Sequence, residues 1–207
     1  KWFSHTLNDF INLPGSMPEK LKGDEVTAKT QWTGSLYDSS YYYNPYMEKY
    51  RKEGNIKFPF FLTPDKHYVG AAWYQKEVNI PADWKGERIL LFLERPHIET
   101  TVWVNGQKTG MQNSLCVPHQ YDITRYVRPG KCTITIRVDN RIKEINVGPD
   151  SHSITDQTQG NWNGIVGRIC LQTTPKTYFD DIQIYPEPEQ KLARVKVVIK
   201  GTGTAKV

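Results

Sequence analysis

Hydrophobic residues that recur at every second position are the feature of this sequence that most restricts its fold. Between Cys132 and Asp139, apolar side chains at the even positions alternate with Thr, Thr and Arg at the odd positions. Successive side chains of a β-strand point to opposite faces, so this pattern is typical of a strand with one buried face. The sequence therefore predicts a mainly β structure in which Cys132 faces the core.

Similar segments, rich in Val, Ile, Thr and aromatic residues, recur between Pro, Gly, Asn and Asp residues. The clear strand candidates are Ala71–Ile80, Arg88–Glu94, Thr100–Val104, Cys132–Asp139, Ile165–Thr173, Tyr178–Tyr185 and Arg194–Lys200. Weaker candidates are Val26–Trp32, Phe58–Leu62 and His119–Thr124. Asn105-Gly106 predicts a type I′ hairpin turn into a short return strand near Lys108, because both central residues of that turn need positive φ.

Helix signals are scarce. The best candidate is Pro45–Glu53, which Asn44 precedes as a possible N-cap and Gly54 follows as a stop. Many short strands with one short helix in an insertion predict an all-β, antiparallel β-sandwich. We favour a jelly roll over an immunoglobulin-like sandwich, which usually has about 100 residues.

Length and charge exclude several classes of protein. At about 100–200 residues per domain, 207 residues allow one domain with a short extension. A (β/α)8 barrel needs about 250 residues, so a complete barrel enzyme is excluded. No apolar run approaches the roughly 20 residues of a membrane span, and the net charge of +5 comes from scattered Lys and Arg residues. We therefore expect neither a membrane nor a nucleic acid as partner.

The end of the chain differs from the rest. A polar, proline-containing segment, Tyr185–Gln190, precedes the strand candidate Arg194–Lys200. This order is typical of a linker followed by the first strand of a new domain. We predict one domain over residues 1–186 and, over residues 187–207, a linker with the start of a truncated second domain.

Known catalytic and metal-binding motifs are missing from the sequence. GxSxG, GxxxxGK and HExxH do not occur, and the five histidines are dispersed. No oxygen-ligand motif for calcium and no identifiable pair of catalytic carboxylates is present. We predict no catalytic residue, no bound metal and no cofactor in this chain.

The cysteines bear on the compartment of the protein. Cys116, Cys132 and Cys170 lack CxxC spacing, so we expect unpaired thiols rather than a disulfide framework or a zinc site. The chain begins Lys1-Trp2-Phe3 without Met, as after removal of a leader. The compartment stays open, with the bacterial periplasm or the cell exterior favoured over the cytoplasm.

One insertion is crowded with tyrosines. They are Tyr37, Tyr41, Tyr42, Tyr43, Tyr46 and Tyr50. Aromatic faces stack on the apolar C–H faces of sugars, and the phenol hydroxyl bonds polar groups. The alternative, which we favour, is that the rings pack over the sandwich or against a neighbouring domain.

A second candidate segment joins the polar loop 146–159 to a strand. Its candidate substrate-binding residues are Asp156, Asn161, Trp162 and Asn163. Amide side chains both donate and accept hydrogen bonds, which suits the recognition of hydroxyl groups. A structural role is equally open, since Asn163-Gly164 allows positive φ and Trp162 could fill the end of the sandwich.

Several short motifs, in this order, resemble the N-terminal sugar-binding domain of glycoside hydrolase family 2, a galactose-binding-like jelly roll. They are Leu13-Pro-Gly-Ser-Met17, Tyr68-Val-Gly-Ala-Ala-Trp-Tyr74, Ile80-Pro-Ala-Asp-Trp-Lys-Gly86, Leu93-Glu-Arg95, Thr101-Val-Trp-Val-Asn-Gly106, Tyr121-Asp-Ile-Thr124, Ile136-Arg-Val-Asp-Asn140 and Trp162-Asn-Gly-Ile165. The resemblance covers residues 13–185. Each motif alone is weak, but their shared order is specific.

The resemblance implies that the catalytic glutamates of the parent retaining β-glycosidase lie on a separate barrel domain. The acid/base glutamate of the family follows an asparagine, and no Asn-Glu dipeptide occurs here. The parent would resemble β-galactosidase or β-glucuronidase, and the tail from Arg194 would begin an immunoglobulin-like domain. The family also places an acidic residue six positions before its Gly-Ile pair, where this chain has Thr158, and Asp156 lies two residues further back.

We therefore expect a noncatalytic domain that supports the barrel and lends a loop to the sugar pocket. Its partners would be carbohydrate and the missing immunoglobulin-like and barrel domains of the same polypeptide. Two alternatives stay open. One is an autonomous carbohydrate-binding module that uses the tyrosine insertion, and the other is an interaction scaffold without sugar contact.

Overall fold

The computed structural model describes residues 2–35, 38–60, 62–143 and 147–202. In that part of the chain the strands, numbered in chain order, are β1 (Gly15–Ser16), β2 (Asp24–Glu25), β3 (Lys66–His67), β4 (Ala71–Ile80), β5 (Arg88–Pro96), β6 (Glu99–Val104), β7 (Gln107–Asn113), β8 (His119–Asp122), β9 (Gly130–Asp139), β10 (Gly164–Thr174), β11 (Tyr178–Glu187) and β12 (Leu192–Lys200). One four-stranded sheet has the order β1-β10-β5-β8 and the other β4-β9-β6-β7, and every pairing in them is antiparallel. The all-β sandwich predicted from the sequence is confirmed.

The core lies between these two sheets. From β9 the residues at positions 132, 134, 136 and 138 are all buried, which confirms the orientation predicted from the alternation. From the other sheet Leu91, Leu93 and Tyr121 belong to the same apolar cluster. Full burial of a side chain of this size stabilises the fold by about 1.5–3 kcal/mol relative to exposure.

The Asn105-Gly106 turn has the predicted geometry. The φ angles of these residues are 50° and 78°, and the turn joins β6 to β7, the return strand. The Asn105 side chain also accepts a hydrogen bond from the backbone N–H of Thr133 at 2.9 Å. The turn is therefore fixed to the neighbouring strand β9 as well as to its own hairpin.

The predicted helix is present in a shorter form. It is a 3-10 helix over Pro45–Tyr50, and Asn44 caps it by accepting a hydrogen bond from the N–H of Tyr46 at 2.9 Å. Other 3-10 turns are short, and no helix among the described residues is both long and apolar enough to cross a bilayer.

Two of the weaker strand predictions are wrong. Over Val26–Trp32 the chain turns, because the Thr27 N–H donates to Oγ1 of Thr30 at 2.9 Å and the Thr30 N–H donates to the Thr27 carbonyl at 3.0 Å. Such local side-chain bonds compete with strand pairing. Of Phe58–Leu62, Phe58–Phe60 and Leu62 are not in a strand, and Phe61 lies outside the described residues.

The third weaker prediction, His119–Thr124, is correct over its first four residues, which form β8. A 3-10 turn over Thr124–Tyr126 follows. The Asp122 side chain holds the first residue of this turn, since its Oδ1 accepts hydrogen bonds from both the N–H and the Oγ1 of Thr124.

The last two strands form a separate hairpin. β11 pairs with β12 and with no other described strand, and the 3-10 turn Pro188–Gln190 joins them. The segment predicted as a linker is thus the end of β11 and this turn. Opposite pairs such as Ile182 with Val197 and Ile184 with Val195 place apolar side chains on one face of the hairpin.

Candidate functional site: the loop between β9 and β10

The candidate residues lie on the connection that leaves β9 in one sheet and enters β10 in the other. Residues 144–146 of this connection lie outside the described part of the chain. Asn140, at its start, donates from Nδ2 to the Tyr68 carbonyl at 2.8 Å and accepts from the N–H of Gly70 at 2.8 Å. The connection is therefore fixed to the segment before β4 from its first residue onward.

Asp156 ties the loop to a distant part of the chain. Its side chain is 2% exposed, and it accepts hydrogen bonds from the N–H of Thr33 at 2.6 Å and the N–H of Asn161 at 2.9 Å. Its Oδ2 also lies 3.4 Å from Nε2 of His67. Each backbone donor satisfies the buried carboxylate, which would be costly to bury without partners.

Asn161 continues the same network. From Nδ2 it donates to Oγ1 of Thr33 and to the carbonyl of Asn140, both at 3.0 Å. Thr33 therefore contacts both Asp156 and Asn161, and these hydrogen bonds fix the loop to the segment around Thr33.

Trp162 packs on a buried histidine. Its ring is stacked on the ring of His97, with centroids 4.6 Å apart and an angle of 18° between the planes. Burial lowers the pKa of His97 to about 4, and the side chain of Asn161 opposes this effect. His97 is consequently neutral near pH 7, and the half-buried indole of Trp162 packs on its ring.

Asn163 is the most enclosed of the four. It is fully buried, accepts a hydrogen bond from the Tyr74 hydroxyl at 2.9 Å, and donates to the carbonyls of Gly70 and Val138 at 3.0 Å each. Next to it, Gly164 allows β1 to approach, because a Cβ there would lie 2.4 Å from the Gly15 carbonyl oxygen. The start of β10 is therefore fixed to both sheets.

The structure brings the four predicted residues into one framework at this end of the sandwich. Three are buried and hydrogen-bonded within the protein, and Trp162 is half-buried. Within residues 151–160 of the loop, the side chains that face solvent are His152, Ser153, Thr158 and Gln159. Contact of Asp156, Asn161, Trp162 or Asn163 with a sugar stays a prediction.

Sequence reasoning missed the partners that hold this framework, chiefly Thr33, His67, Tyr74 and Asn140. Asn140, directly after a core strand, and Tyr74, in the clearest alternating segment of β4, carried weak signals. Thr33 carried none, because it is 123 residues from Asp156 along the chain.

The tyrosine insertion divides into buried and exposed rings. Tyr41 is fully buried and stacked on Phe58, with ring centroids 4.6 Å apart. Tyr43 and Tyr46 are 73% and 86% exposed, and Tyr37 lies outside the described residues. Part of the insertion therefore packs on the domain, as we favoured, while the rest stays open to solvent.

The ionisable residues show no metal centre where the chain is described. Neither His, Cys, Asp nor Glu side chains group there in threes that could hold an ion. The three cysteines are unpaired, as predicted from their spacing.

Comparison with known families identifies the domain. The family model described as "Glycosyl hydrolases family 2, sugar binding domain" matches residues 20–175, more than half of the chain. The chain belongs to glycosyl hydrolase family 2. The family predicted from the ordered motifs is therefore confirmed, and the matched region includes the whole loop from Asn140 to Asn163.

The similar curated proteins are β-glucuronidases. The human enzyme is 28% identical over 166 residues, which cover 69% of this chain and 26% of the relative. The mouse enzyme is 26% identical over 160 residues, which cover 67% of this chain and 25% of the relative. The chain thus spans about a quarter of the length of the curated relatives it matches.

Solved structures show the same fold. A β-glucuronidase of an uncultured Clostridium sp. matches with a TM-score of 0.64 at 18% identity, covering 97% of this chain and 30% of that one. The Faecalibacterium prausnitzii β-glucuronidase matches with a TM-score of 0.53 at 24% identity, covering 66% of this chain and 27% of that one.

Proposed function

We propose that this domain is a noncatalytic part of a family 2 β-glycosidase and supports a catalytic barrel on the same polypeptide. The observation that carries the proposal is the family match over residues 20–175. The framework of Asp156, Asn161 and Asn163 supports it further, because these three side chains form hydrogen bonds inside the fold. Their role is to hold the loop in one shape.

Held in this shape, the loop presents exposed polar residues to the rim of the sugar pocket. Hydroxyl, amide and imidazole groups at positions 152, 153, 158 and 159 would bond sugar hydroxyls there. A rigid loop lowers the entropic cost of positioning a substrate ring. Asp156 and Asn161 would then affect sugar binding indirectly, by holding the loop in place. Trp162 is the least buried of the four candidates and is the one best placed to touch the sugar.

For the parent enzyme we propose β-glucuronidase activity, because the similar curated proteins bear that name. β-Galactosidase activity of the parent enzyme is the alternative that the sequence motifs left open. The complete reading frame that contains this chain should hydrolyse 4-nitrophenyl β-D-glucuronide faster than the corresponding galactoside. A preference for the galactoside would overturn the glucuronidase assignment and leave the supporting role intact.

The tail is proposed to begin the next, immunoglobulin-like domain. The family match ends at residue 175, and β11 starts three residues later and pairs only with β12 among the described strands. Along the apolar face of this hairpin, Ile182 and Ile184 are 53% and 64% exposed. The boundary predicted from the sequence, between residues 186 and 187, would fall inside β11, so we propose instead a boundary close to Pro175. We expect a further sheet of the same polypeptide to cover the apolar face.

A second candidate function is an autonomous carbohydrate-binding module. The exposed rings of Tyr42, Tyr43 and Tyr46 favour it. Calorimetric titration of galactosides and plant glycans into the chain tests it, and binding of about millimolar strength that Tyr42→Ala abolishes would support it. Titrations without heat would argue against such a module and would agree with both the supporting role and an interaction scaffold without sugar contact.

A further inference from the structure

Two tryptophans lie on the outer face of the sheet β4-β9-β6-β7. Trp73 is opposite Arg137 and Trp103 is opposite Thr135, on the face away from the buried core residues Tyr74 and Val102. Their ring centroids are 5.1 Å apart. These two rings do not belong to the apolar core, which lies on the other face of the sheet.

The N-terminal segment crosses this face and covers Trp103, which is 9% exposed, but leaves Trp73 half-buried. Phe3 stacks on Trp103, with centroids 5.1 Å apart and planes 6° from parallel. The Gln75 side chain donates to the His5 carbonyl at 3.0 Å. These contacts hold the segment beside Trp73 and leave a groove between them.

This groove, here called the Trp73 groove, contains two adjoining cavities. The larger, of about 380 Å³, is lined by Trp2, Thr6, Leu7, Asn8, Asp9 and Trp73. The smaller, of about 250 Å³, shares Asp9 and Trp73 with it and continues along β4 past Ala71 and Tyr74. The larger cavity lies within the size range of small-molecule sites, about 300–1,000 Å³.

The groove combines apolar rings with uncommitted polar groups. Trp2 is 63% exposed, and the half-buried Trp73 lines both cavities. The exposed side chains of Thr6 and Asn8 lie at the same opening. An indole face packs against the C–H groups of a pyranose ring while hydroxyl and amide groups bond its hydroxyls, so these residues together fit a glycan.

The charges of the groove indicate which glycans fit. Lys22 is the single cation among the residues that line the two cavities, and its ammonium group lies 2.6 Å from the Asp9 carboxylate. Asp9 also accepts the N–H of Phe10 at 2.7 Å. A uronate would therefore meet a carboxylate and a cation that is already paired, whereas a neutral sugar would meet no opposing charge.

We propose that the Trp73 groove is an accessory binding site for neutral oligosaccharides, with Trp2 and Trp73 as stacking residues and Thr6 and Asn8 as hydroxyl ligands. Asp156, Asn161, Trp162 and Asn163 are not among the residues that line it. The site is therefore distinct from the loop assigned above to the sugar pocket, and the proposal does not depend on that assignment. Such a site would hold a glycan chain at the domain surface while another part of the polypeptide acts on it.

The test is a titration of the 207-residue chain with three neutral probes, cellohexaose, xylohexaose and chitohexaose, and one acidic probe, a hyaluronan hexasaccharide. In ¹H–¹⁵N spectra the six indole N–H signals report each tryptophan separately. We expect a neutral probe, at concentrations up to about 10 mM, to shift the Trp2 and Trp73 signals and to leave the Trp162 signal unchanged. The acidic probe should bind at least tenfold more weakly.

Three variants make the result specific. Trp2→Ala, at an exposed position, should weaken binding at least tenfold, and Asn8→Ala should weaken it several-fold. The matched control is Tyr185→Ala, which removes a ring of similar exposure outside the groove (50%, against 63% for Trp2) and should leave the affinity unchanged. Trp73→Ala is used only if its spectrum shows a folded protein.

Four outcomes would overturn the proposal. They are no shift of Trp2 or Trp73 with any neutral probe, tighter binding of the hyaluronan probe, binding that Tyr185→Ala rather than Trp2→Ala abolishes, and self-association in sedimentation that Trp2→Ala abolishes without any glycan binding. The last of these would assign the groove to contact with a second copy of the chain.

Discussion

The Tyr74 hydroxyl donates a hydrogen bond to Oδ1 of Asn163 across 2.9 Å, and both side chains are buried. This contact joins β4 to the first residue before β10, 89 positions later in the chain. Burial raises the pKa of Tyr74 well above its ordinary value, so the phenol stays protonated as a donor at all moderate pH values. The loop end is thereby attached to the opposite sheet.

Tyr74→Phe should lower the free energy of unfolding by about 1–3 kcal/mol, because it leaves Asn163 Oδ1 buried without its donor. Urea denaturation of both proteins measures the difference. Tyr46→Phe, at an exposed ring, is the control and should change stability by less than about 0.5 kcal/mol. Equal stability of Tyr74→Phe and the unmodified chain would show that this hydrogen bond does not hold the loop end.

Acidification should destabilise the domain through His97. Its pKa is lowered to about 4 in the folded protein, against about 6.5 when unfolded. Between these values the unfolded chain binds the proton and the folded chain does not, so stability falls as the pH falls from 6.5 to 4. The loss of stability from this residue is at most about 3–4 kcal/mol.

The measurement is urea denaturation at several pH values with His97→Gln, which should flatten part of the pH dependence. His119, whose pKa burial also lowers, accounts for part of what remains. The control His152→Gln removes an exposed loop histidine and should leave the profile unchanged. An unaltered slope in His97→Gln would contradict the assignment.

Asp156→Asn should loosen the loop. Each oxygen of the Asp156 carboxylate accepts one of the two backbone N–H groups, of Thr33 and of Asn161. Asn replaces one of these oxygens by an amide nitrogen, which cannot accept a hydrogen bond, so one N–H loses its acceptor. The expected loss in the free energy of unfolding is about 1–3 kcal/mol. Hydrogen exchange at those two amides should become faster. Asp150→Asn is the matched control, since Asp150 is exposed and its hydrogen bonds among the described residues are to Ser35, so its effect should stay local. Unchanged exchange at Thr33 and Asn161 would refute the framework.

Gly164→Ala should be far more damaging than an ordinary glycine substitution. A Cβ at this position would lie 2.4 Å from the Gly15 carbonyl oxygen and 2.7 Å from Ser16 Cα, and both atoms belong to backbone that cannot move freely. We expect a loss of about 2–3 kcal/mol. Gly54→Ala, with positive φ but open space around it, should cost about 1 kcal/mol. Thermal unfolding of both variants compares them, and equal costs would argue against the close approach of β1 to β10.

Much of the fold could be predicted because its signals are local. The alternation in β9 and the Asn105-Gly106 turn each depend on a few neighbouring residues. Val26–Trp32 could not be assigned in this way, because the side-chain bonds of Thr27 and Thr30 outweigh the strand propensity of the segment. In the same way Phe58 gains its burial from Trp32 and Tyr41 rather than from strand pairing.

The candidate site was only half predictable. Composition pointed to Asn161, Trp162 and Asn163, because amides and an indole concentrate beside two glycines. Their orientation depends on Thr33 and Tyr74, which reach them only when the sandwich closes. No local sequence pattern indicates such contacts. For that reason the sequence left a structural role and a sugar-binding role of these residues equally open.

The most direct test of the central claim, that this domain supports a reaction carried out elsewhere on the polypeptide, is a hydrolysis assay of the purified 207-residue chain. With 4-nitrophenyl β-D-glucuronide as substrate, we expect release of nitrophenol at the rate of buffer alone. Turnover that persists through repurification and disappears when one Asp or Glu of this chain is replaced would contradict the account.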